Sequence, residues 1–220
     1  NAPTNAPTNA PLEFASDIIP SLVTNDWKLV LPVDANGNDS SDATVIEERN
    51  TSPLSIRNFI GYTNPPYFYA ENGEVVFKAH AAGATTGGTK YPRSELRQLV
   101  GGTGKDYFWS VSDHQSFEAE LRITDTPKVK TDMVIMQIHT SSRPQLLAVM
   151  YRDTIGIYIS YNEIHDNRAT PMAYNIGERL LIDVDVTDGV ITCNVTNLDQ
   201  NTSMNKTFTA AYPPNEIPTN

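Results

Sequence analysis

Charged residues alternate along one nine-residue stretch of the chain, Tyr91–Leu99, with the sequence Y-P-R-S-E-L-R-Q-L. If this stretch is a β-strand, its period of two places Arg93, Glu95 and Arg97 on one face and the intervening residues on the other. Guanidinium groups hold carboxylates in a fixed geometry, so the pattern suits the binding of an anionic ligand. A surface salt-bridge ladder, which would contribute little to stability, is the other interpretation.

A second stretch, Met133–His139, combines an apolar face with a polar one. Alternation places Gln137 and His139 together on one face. The apolar residues of the stretch are expected on the opposite face: Val134, Met136 and Ile138. The apolar side can pack into a core while the amide and the imidazole face a cleft.

Arginine, glutamine and histidine together fit β-elimination from a uronic acid. Removing the proton next to a carboxylate is difficult, because the developing carbanion adds negative charge to a group that is already charged. Donors that neutralise the carboxylate stabilise this transition state, and such electrostatic stabilisation is usually the largest catalytic contribution. A base must also take the C5 proton, and an acid must protonate the O4 leaving group. Imidazole, with an ordinary pKa of about 6.5, can act as the base or help to hold the carboxylate.

Other chemistries lack their characteristic residues. The sequence contains neither a G-x-S-x-G nor an H-E-x-x-H motif. Two pairs of carboxylates, Glu118 with Glu120 and Asp183 with Asp185, lack the third acid and the apolar surroundings that a retaining glycosidase would need. Cys193 is the only cysteine, which excludes an intrachain disulfide, and its apolar neighbours predict a buried, unreactive thiol. No metal and no other cofactor is expected.

The elements that must position these residues are short and regularly spaced. The chain has 220 residues, of which 39% are hydrophobic and 19% charged, a globular composition. About a dozen short strands and almost no helical periodicity predict an all-β fold, an antiparallel two-sheet sandwich of jelly-roll type. Residues 1–11 repeat N-A-P-T and predict a linker or tail. Residues 12–220 then form one domain.

The expected strands follow the apolar alternation and the turn residues between them. They cover 27–33, 67–69, 75–79, 91–99, 107–111, 117–124, 133–140, 146–151, 155–161, 179–186, 190–195 and 207–212. Asn72-Gly73 and Asp188-Gly189 predict tight hairpin turns. Residues 53–64 are predicted to be irregular, and the glycine-rich residues 81–89 to form a mobile surface loop.

Charge limits the partners that the protein can bind. The sequence has 26 acidic and 16 basic residues and a formal net charge of −10, so no nucleic acid is expected as a partner. No apolar run approaches the ~20 residues of a membrane span, so no membrane partner is expected either. An anionic polysaccharide would need a locally basic cleft on this acidic protein.

Asn-x-Ser/Thr sequons occur five times and suggest a secreted glycoprotein. They begin at Asn38, Asn50, Asn194, Asn201 and Asn205. The N-terminus carries no signal peptide, and we expect a mature, processed chain. We also expect a monomer.

Three motifs resemble those of the alginate lyases of polysaccharide lyase family 7. They are R-S-E-L-R at Arg93–Arg97, Q-I-H at Gln137–His139 and W-K-L-V-L-P-V at 27–33. The first two, in this order and about forty residues apart, are fairly specific in combination. The resemblance spans most of residues 27–212.

The resemblance implies a jelly roll whose concave sheet binds a polyuronate. Arg93, Gln137 and His139 would surround the uronate carboxylate as catalytic residues. Arg97 and Glu95 would shape the substrate site. In this family, isoleucine between the glutamine and the histidine accompanies guluronate-containing substrates, so the resemblance also implies acceptance of guluronate.

One family motif has no counterpart in the sequence. The family carries a C-terminal strand Y-F-K-A-G-x-Y-x-Q, whose second tyrosine is the catalytic acid, and the chain ends at Asn220 without it. We expect a truncated chain that lacks this strand, and a degenerate homologue is the alternative. Spacing alone cannot assign the role to another tyrosine: Tyr151, Tyr158, Tyr161 or Tyr174.

The function predicted from the sequence is β-elimination on alginate by a polysaccharide lyase. Two alternatives remain open at this point. The protein could be a non-catalytic jelly roll that binds polyuronates, or a lyase for another polyuronate such as glucuronan.

Overall fold

A computed structural model gives the structure of the chain. It describes residues 27–34, 53–57, 61–85, 91–99, 109–110, 112–128, 132–139, 147–161 and 170–209, with the backbone alone for 53–57. The chain forms two compact units, Asn1–Tyr107 and Phe108–Asn220. All regular elements in the described ranges are strands, and every strand pairing is antiparallel.

The first unit contains a three-stranded sheet and a hairpin. The sheet has the order β2-β1-β5, and the hairpin pairs β3 with β4. The strand bounds are β1 Trp27–Asp34, β2 Pro53–Arg57, β3 Phe68–Glu71, β4 Glu74–Phe77 and β5 Glu95–Gln98. The core is formed by side chains of β1, of the residue just before β3 and of the first residue of β3: Leu29, Leu31, Val33, Tyr67 and Phe68.

The second unit contains two sheets that share one core. A four-stranded sheet has the order β12-β11-β10-β6, and a three-stranded sheet has the order β7-β8-β9. The bounds are β6 Gln115–Arg122, β7 Asp132–Ile138, β8 Leu147–Arg152, β9 Gly156–Tyr161, β10 Arg179–Thr187, β11 Val190–Asn197 and β12 Thr202–Thr209. Alternate residues of β8, β9, β10 and β11 enter this core, because successive side chains of a strand point to opposite faces.

The apolar alternation of β10 and β11 shows how the sequence determines this packing. Val184 lies opposite Cys193 in the ladder, and both are buried while their neighbours along the strand are partly exposed. Burial raises the pKa of the Cys193 thiol to about 12, so the thiol stays protonated at neutral pH. The prediction of a buried thiol is confirmed.

Both predicted hairpin turns are confirmed. Asn72 and Gly73 have φ angles of 54° and 75°, and Asp188 and Gly189 have φ angles of 50° and 78°. Positive φ at both central residues is the requirement of the tight turns that match the twist of the flanking strands.

Several predicted element boundaries are wrong. Residues 53–57, predicted to be irregular, form β2 at the edge of the first sheet. The last strand begins at Thr202, five residues before its predicted start, because a polar Thr/Ser/Asn sequence gives no apolar alternation to read. Of the predicted strand 107–111, the structure describes only residues 109–110, and these two belong to no strand. Residues 83–85 are buried rather than part of a surface loop.

The described residues include no helix that is long and apolar enough to cross a membrane. The predicted N-terminal tail, residues 1–11, lies outside the described ranges.

Candidate active site

The charged ladder of the sequence lies at β5 in the first unit. Leu96 pairs with Leu29 of β1, and both contribute to the core. Directly opposite residues in an antiparallel ladder share a face, so Glu95 and Arg97 lie on the face away from that core. The strand is shorter than predicted: it begins at Glu95, and Arg93 belongs to the segment that leads into it.

Glu95 connects the two arginines. Its Oε1 atom accepts hydrogen bonds from Nη1 of Arg93 at 3.2 Å and from Nη2 of Arg97 at 3.3 Å. The side chains of Arg93, Glu95 and Arg97 are 21%, 23% and 33% exposed, so a ligand can reach them although most of their surface is covered. Two guanidinium groups are thus held next to each other by one carboxylate, at a place where an anionic ligand can reach them.

The guanidinium of Arg93 retains hydrogen-bonding capacity. Its Nε atom is buried and makes no hydrogen bond within the described residues. A buried donor that lacks a partner destabilises the folded protein, and such groups are expected where a ligand or a catalytic function accounts for them.

Close packing fixes the segment that leads into β5. Ser94 donates a hydrogen bond from its hydroxyl to the carbonyl of Tyr67 at 3.0 Å. A Cβ atom at Gly83 would lie 2.7 Å from the carbonyl oxygen of Pro32 and 3.0 Å from Cβ of Pro92. Only glycine therefore allows this approach, and the backbone next to Arg93 is held from two sides.

The second polar stretch lies at β7 in the second unit. The register of β7 with β8 shifts between Val134 and Met136, so Ile135 is an extra residue in a β-bulge. After the bulge, Ile138 pairs with Leu147 and packs against the core, whereas Gln137 pairs with Ala148 on the opposite face. His139 is exposed and follows the last residue of the strand.

The bulge corrects one prediction about this stretch. Val134 was predicted on the face opposite Gln137, but it pairs with Met150, which shares the face of Ala148. It is 41% exposed. A strict period of two cannot describe a strand that contains an extra residue, because every side chain beyond the bulge changes face relative to those before it.

The structure thus places the five predicted site residues in two sets. Arg93, Glu95 and Arg97 form one hydrogen-bonded cluster in the first unit, and Gln137 and His139 lie two residues apart in the second. That both sets act on the same sugar acid stays a prediction.

A family model described as alginate lyase matches residues 21–216. The chain belongs to the alginate lyase family. It is a polysaccharide lyase that acts on alginate, as the sequence motifs predicted. A search of curated proteins by sequence finds no match.

Solved structures of alginate lyases resemble this alginate lyase over most of its length. The alginate lyase AlgAT5 from polysaccharide lyase family 7 is 25% identical, with a TM-score of 0.66 over 90% of this chain and 83% of that one. The alginate lyase from Corynebacterium sp. is 22% identical, with a TM-score of 0.65 over 91% of this chain and 83% of that one. These likenesses confirm the predicted fold class and the resemblance to family 7.

A third similar structure is a substrate complex. It is the family 7 alginate lyase A1-II′ with one histidine and one tyrosine replaced, bound to the substrate GGMG. It is 22% identical, with a TM-score of 0.60 over 85% of this chain and 75% of that one.

Tyrosines of the second unit serve the core of this alginate lyase. Tyr151 and Tyr158 are buried, and their hydroxyls donate to the carboxylates of Asp153 at 3.1 Å and Asp132 at 2.9 Å. Burial, and then the hydrogen bond to Asp153, raise the pKa of Tyr151 to about 12. Such a hydroxyl is a poor base at neutral pH.

Two further tyrosines also have structural partners. The Tyr174 hydroxyl accepts a hydrogen bond from the backbone N–H of Ile123 and donates one to the carbonyl of Glu178, both at 2.8 Å. Tyr161 stacks on Phe208 with ring centroids 4.4 Å apart. The Tyr161 hydroxyl donates to the carbonyl of Thr209, so each of these four tyrosines makes a hydrogen bond through its hydroxyl within the part of the chain described.

One residue at the candidate site was missed by the sequence analysis. Lys28 of β1 lies directly opposite Arg97 of β5. The alternation of the motif W-K-L-V-L-P-V already places this lysine on the face opposite to the core leucines of the strand, but the register between the two strands cannot be read from the sequence.

Proposed function

We propose that this alginate lyase cleaves its substrate by β-elimination, with Arg93, Gln137 and His139 around the carboxylate of the uronate that loses its proton. The arginine cluster at β5 is the observation that carries the proposal. Arg93 and Arg97 both donate to Oε1 of Glu95, and Nε of Arg93 is a buried donor that lacks a partner in the described structure. A uronate carboxylate supplies an acceptor for this donor and a negative charge for the guanidinium.

The chemical requirement explains why this charge raises the rate. As the C5 proton leaves, electron density moves onto the carboxylate, and donors placed at that group stabilise the enolate-like transition state more than the ground state. Arg93 supplies a charge-assisted hydrogen bond, and the Gln137 amide supplies a neutral one. Glu95 holds the guanidinium groups in position before substrate arrives.

His139 is the proposed residue for proton transfer or for further contact with the carboxylate. It is exposed at the end of β7, and imidazole changes its protonation state near neutral pH. The crystallised substrate complex of A1-II′ has one histidine and one tyrosine replaced. A histidine and an acid for O4 are also what this mechanism needs.

Acceptance of guluronate belongs to the same proposal. Ile138 packs against the core between the two polar residues of β7, so it would influence specificity through the position of Gln137 and His139. Initial rates on guluronate-rich and mannuronate-rich alginate blocks would test this, and equal rates on both would contradict it.

The central experiment measures formation of the unsaturated product from alginate by ultraviolet absorbance. Arg93→Ala and His139→Ala should each lower kcat/KM by about 10²–10⁴-fold, because each removes a group that acts in the transition state. Far-ultraviolet circular dichroism should stay unchanged.

Matched control variants separate these effects from general damage. Arg122→Ala on β6 and His114→Ala, whose ring is bonded to Asp185, remove exposed residues of the same types and should leave the rate unchanged. A near-wild-type rate in Arg93→Ala or His139→Ala would reject the assigned roles. Binding of alginate without any product would instead favour a non-catalytic protein, and faster cleavage of glucuronan would favour the other polyuronate.

Secretion, glycosylation and a monomeric state are proposed alongside this function. Three of the five sequons lie on or beside β11 and β12 at exposed or half-buried asparagines, where a glycan could be attached. Intact mass before and after glycosidase treatment, and size-exclusion chromatography with light scattering, would test these properties.

A further inference from the structure

A single carbonyl group attaches the residue after Arg93 to the core of the first unit. The carbonyl oxygen of Tyr67 accepts a hydrogen bond from the hydroxyl of Ser94 at 3.0 Å and another from the backbone N–H of Lys78 at 2.9 Å. A carbonyl oxygen has two lone pairs, so it can accept both bonds. Tyr67 is 5% exposed and packs in the core with Phe68. The Ser94 hydroxyl therefore binds to a group whose position the core already fixes.

Close packing holds the residue before Arg93. Gly83 is buried, and a Cβ atom there would lie 2.7 Å from the carbonyl oxygen of Pro32 and 3.0 Å from Cβ of Pro92. The next residue, Ala84, donates its backbone N–H to the same Pro32 carbonyl at 2.8 Å. The ring of Pro92 also restricts its own φ angle. Pro92 thus packs against a backbone segment that is itself bonded to β1.

These two attachments lie on either side of Arg93, which precedes the paired part of its strand. In the described part of the sheet, β5 pairs with β1 from Glu95 to Gln98. Arg93 lies two residues before this paired part, and its Nη1 atom donates to Oε1 of Glu95 at 3.2 Å. A functional side chain is placed only as precisely as the elements that support it. The attachments at Pro92 and Ser94 therefore do for this arginine what strand pairing does for the residues that follow.

We propose that Ser94 and Gly83 are positioning residues for Arg93, which hold its backbone so that the guanidinium meets the carboxylate of the uronate that loses its proton. This inference rests on the proposed function, because it concerns the arginine that acts in that reaction. A displaced guanidinium still attracts the polymer, but it stabilises the developing charge less well. Loss of either attachment therefore lowers kcat and leaves KM nearly unchanged.

The first test is the separate measurement of kcat and KM on alginate for Ser94→Ala. Removal of the hydroxyl should lower kcat about 10- to 100-fold, with KM within about twofold of the wild-type value. Ser94→Thr keeps a hydroxyl and should restore most of kcat. Ser112→Ala is the matched control, because the Ser112 hydroxyl shares a hydrogen bond with that of Ser110 at 2.7 Å but lies in the second unit. Its kcat should equal that of the wild type.

A double variant distinguishes positioning from a general structural effect. If Ser94 acts through Arg93, Ser94→Ala should lower kcat/KM no further when Arg93 is already replaced by alanine. The rate of Arg93→Ala/Ser94→Ala should then equal that of Arg93→Ala. A further loss as large as that in Ser94→Ala alone would show that the serine acts independently of the arginine, and would overturn the proposal.

Gly83→Ala tests the other attachment. The added Cβ would collide with the carbonyl oxygen of Pro32, so the backbone next to Pro92 must shift, and kcat should fall about 10- to 100-fold. Gly177→Ala is the control for destabilisation. Gly177 has a φ angle of 94°, which strains an alanine, but the added Cβ would meet no other described residue within 4 Å. This control should lower the urea midpoint and leave kcat unchanged.

A wild-type kcat in Ser94→Ala would overturn the proposal, as would a rise in KM at unchanged kcat or a failure of Ser94→Thr to restore turnover. If Gly83→Ala does not fold by circular dichroism, the variants of Ser94 decide the question. A wild-type kcat in Ser94→Ala, with Arg93→Ala inactive, would remove only the positioning role. An active Arg93→Ala would remove the proposed function itself.

Discussion

Glu95 has an apparently contradictory place in a site for anions. Without it, the guanidinium groups of Arg93 and Arg97 would repel each other and their orientations would vary. The shared Oε1 atom accepts a hydrogen bond from each and so fixes both guanidinium groups. Preorganisation of this kind is effective in catalysis, because the donors do not have to reorient while charge develops on the substrate.

At the scale of single residues, replacing a buried tyrosine by phenylalanine distinguishes a structural hydroxyl from a catalytic one. Tyr174→Phe should lower the free energy of unfolding by about 1–3 kcal/mol, because it leaves the buried N–H of Ile123 without its acceptor. Urea unfolding followed by fluorescence measures the change. The activity of the folded variant should equal that of the wild type.

Tyr161→Phe is the control for that experiment. The Tyr161 hydroxyl donates to the carbonyl of Thr209 at an exposed position, where water can replace it, so its loss should cost less than about 1 kcal/mol. Equal destabilisation by both variants, or loss of turnover in Tyr174→Phe, would contradict the structural role given to Tyr174.

At the scale of elements, the bulge at Ile135 determines what β7 presents on each face. It allows Met133, Met136 and Ile138 to face the core while Val134 and Gln137 share the other side. Bulges are frequent near active sites because they redirect side chains without ending the strand. Gln137 therefore depends on a residue two positions earlier for its orientation.

A carboxylate connects the start of β10 with the turn between β11 and β12. Glu178 accepts hydrogen bonds from the backbone and side chain of Asn175, and from the side-chain amides of Asn197 and Gln200, at 2.7–2.9 Å. These bonds, first those from Asn175, lower the pKa of Glu178 from its ordinary 4.5 to about 2. These hydrogen bonds attach the hairpin of β11 and β12 to the segment just before β10.

This lowered pKa predicts a defined dependence of stability on pH. The unfolded chain takes up the proton at higher pH than the folded one, so the contribution of Glu178 is complete above about 4.5 and is lost as the pH falls towards about 2. Glu178→Gln should unfold at lower urea concentration at neutral pH and show a weaker fall in stability across that acid range. Urea midpoints measured from pH 7 downwards would show this.

Glu118→Gln on β6 is the control, because it also removes one negative charge but does so at an exposed carboxylate. Glu118→Gln should follow the pH profile of the wild type more closely than Glu178→Gln does. Parallel profiles for the wild type and Glu178→Gln would show that the hydrogen-bonded connection does not control acid stability.

At the scale of the whole molecule, charge opposes the encounter with the substrate. The protein carries a formal net charge of −10, and alginate is a polyanion, so long-range repulsion acts before the local cations are reached. The Debye length falls from about 30 Å at 0.01 M to about 10 Å at 0.1 M ionic strength, and contacts at closer range are screened less.

Salt should therefore have opposite effects in two ranges. Between about 10 and about 100 mM NaCl, kcat/KM should rise a few-fold as the repulsion is screened, and towards about 1 M it should fall as the contacts with the carboxylates weaken. Initial rates of product formation measure this, with choline chloride as a control for effects of sodium. A continuous fall from the lowest salt concentration would show that the local cations dominate the encounter.

The sequence by itself determined the fold class, the hairpin turns and the residue types of the candidate site. Alternation along β10 and β11, paired turn residues such as Asp188-Gly189, and the two polar stretches are local features, and local features are visible in one sequence. The residues Arg93, Glu95 and Arg97 were chosen in this way, and the structure joins them through hydrogen bonds.

Only the tertiary structure decided register, bulges and partners. Lys28 stands opposite Arg97 because two strands separated by more than sixty residues pair in one of several possible registers. Val134 changes face because Ile135 is extra, and β2 exists because its backbone completes the edge of a sheet. Pairing energies between distant segments set these features, and no segment carries that information alone.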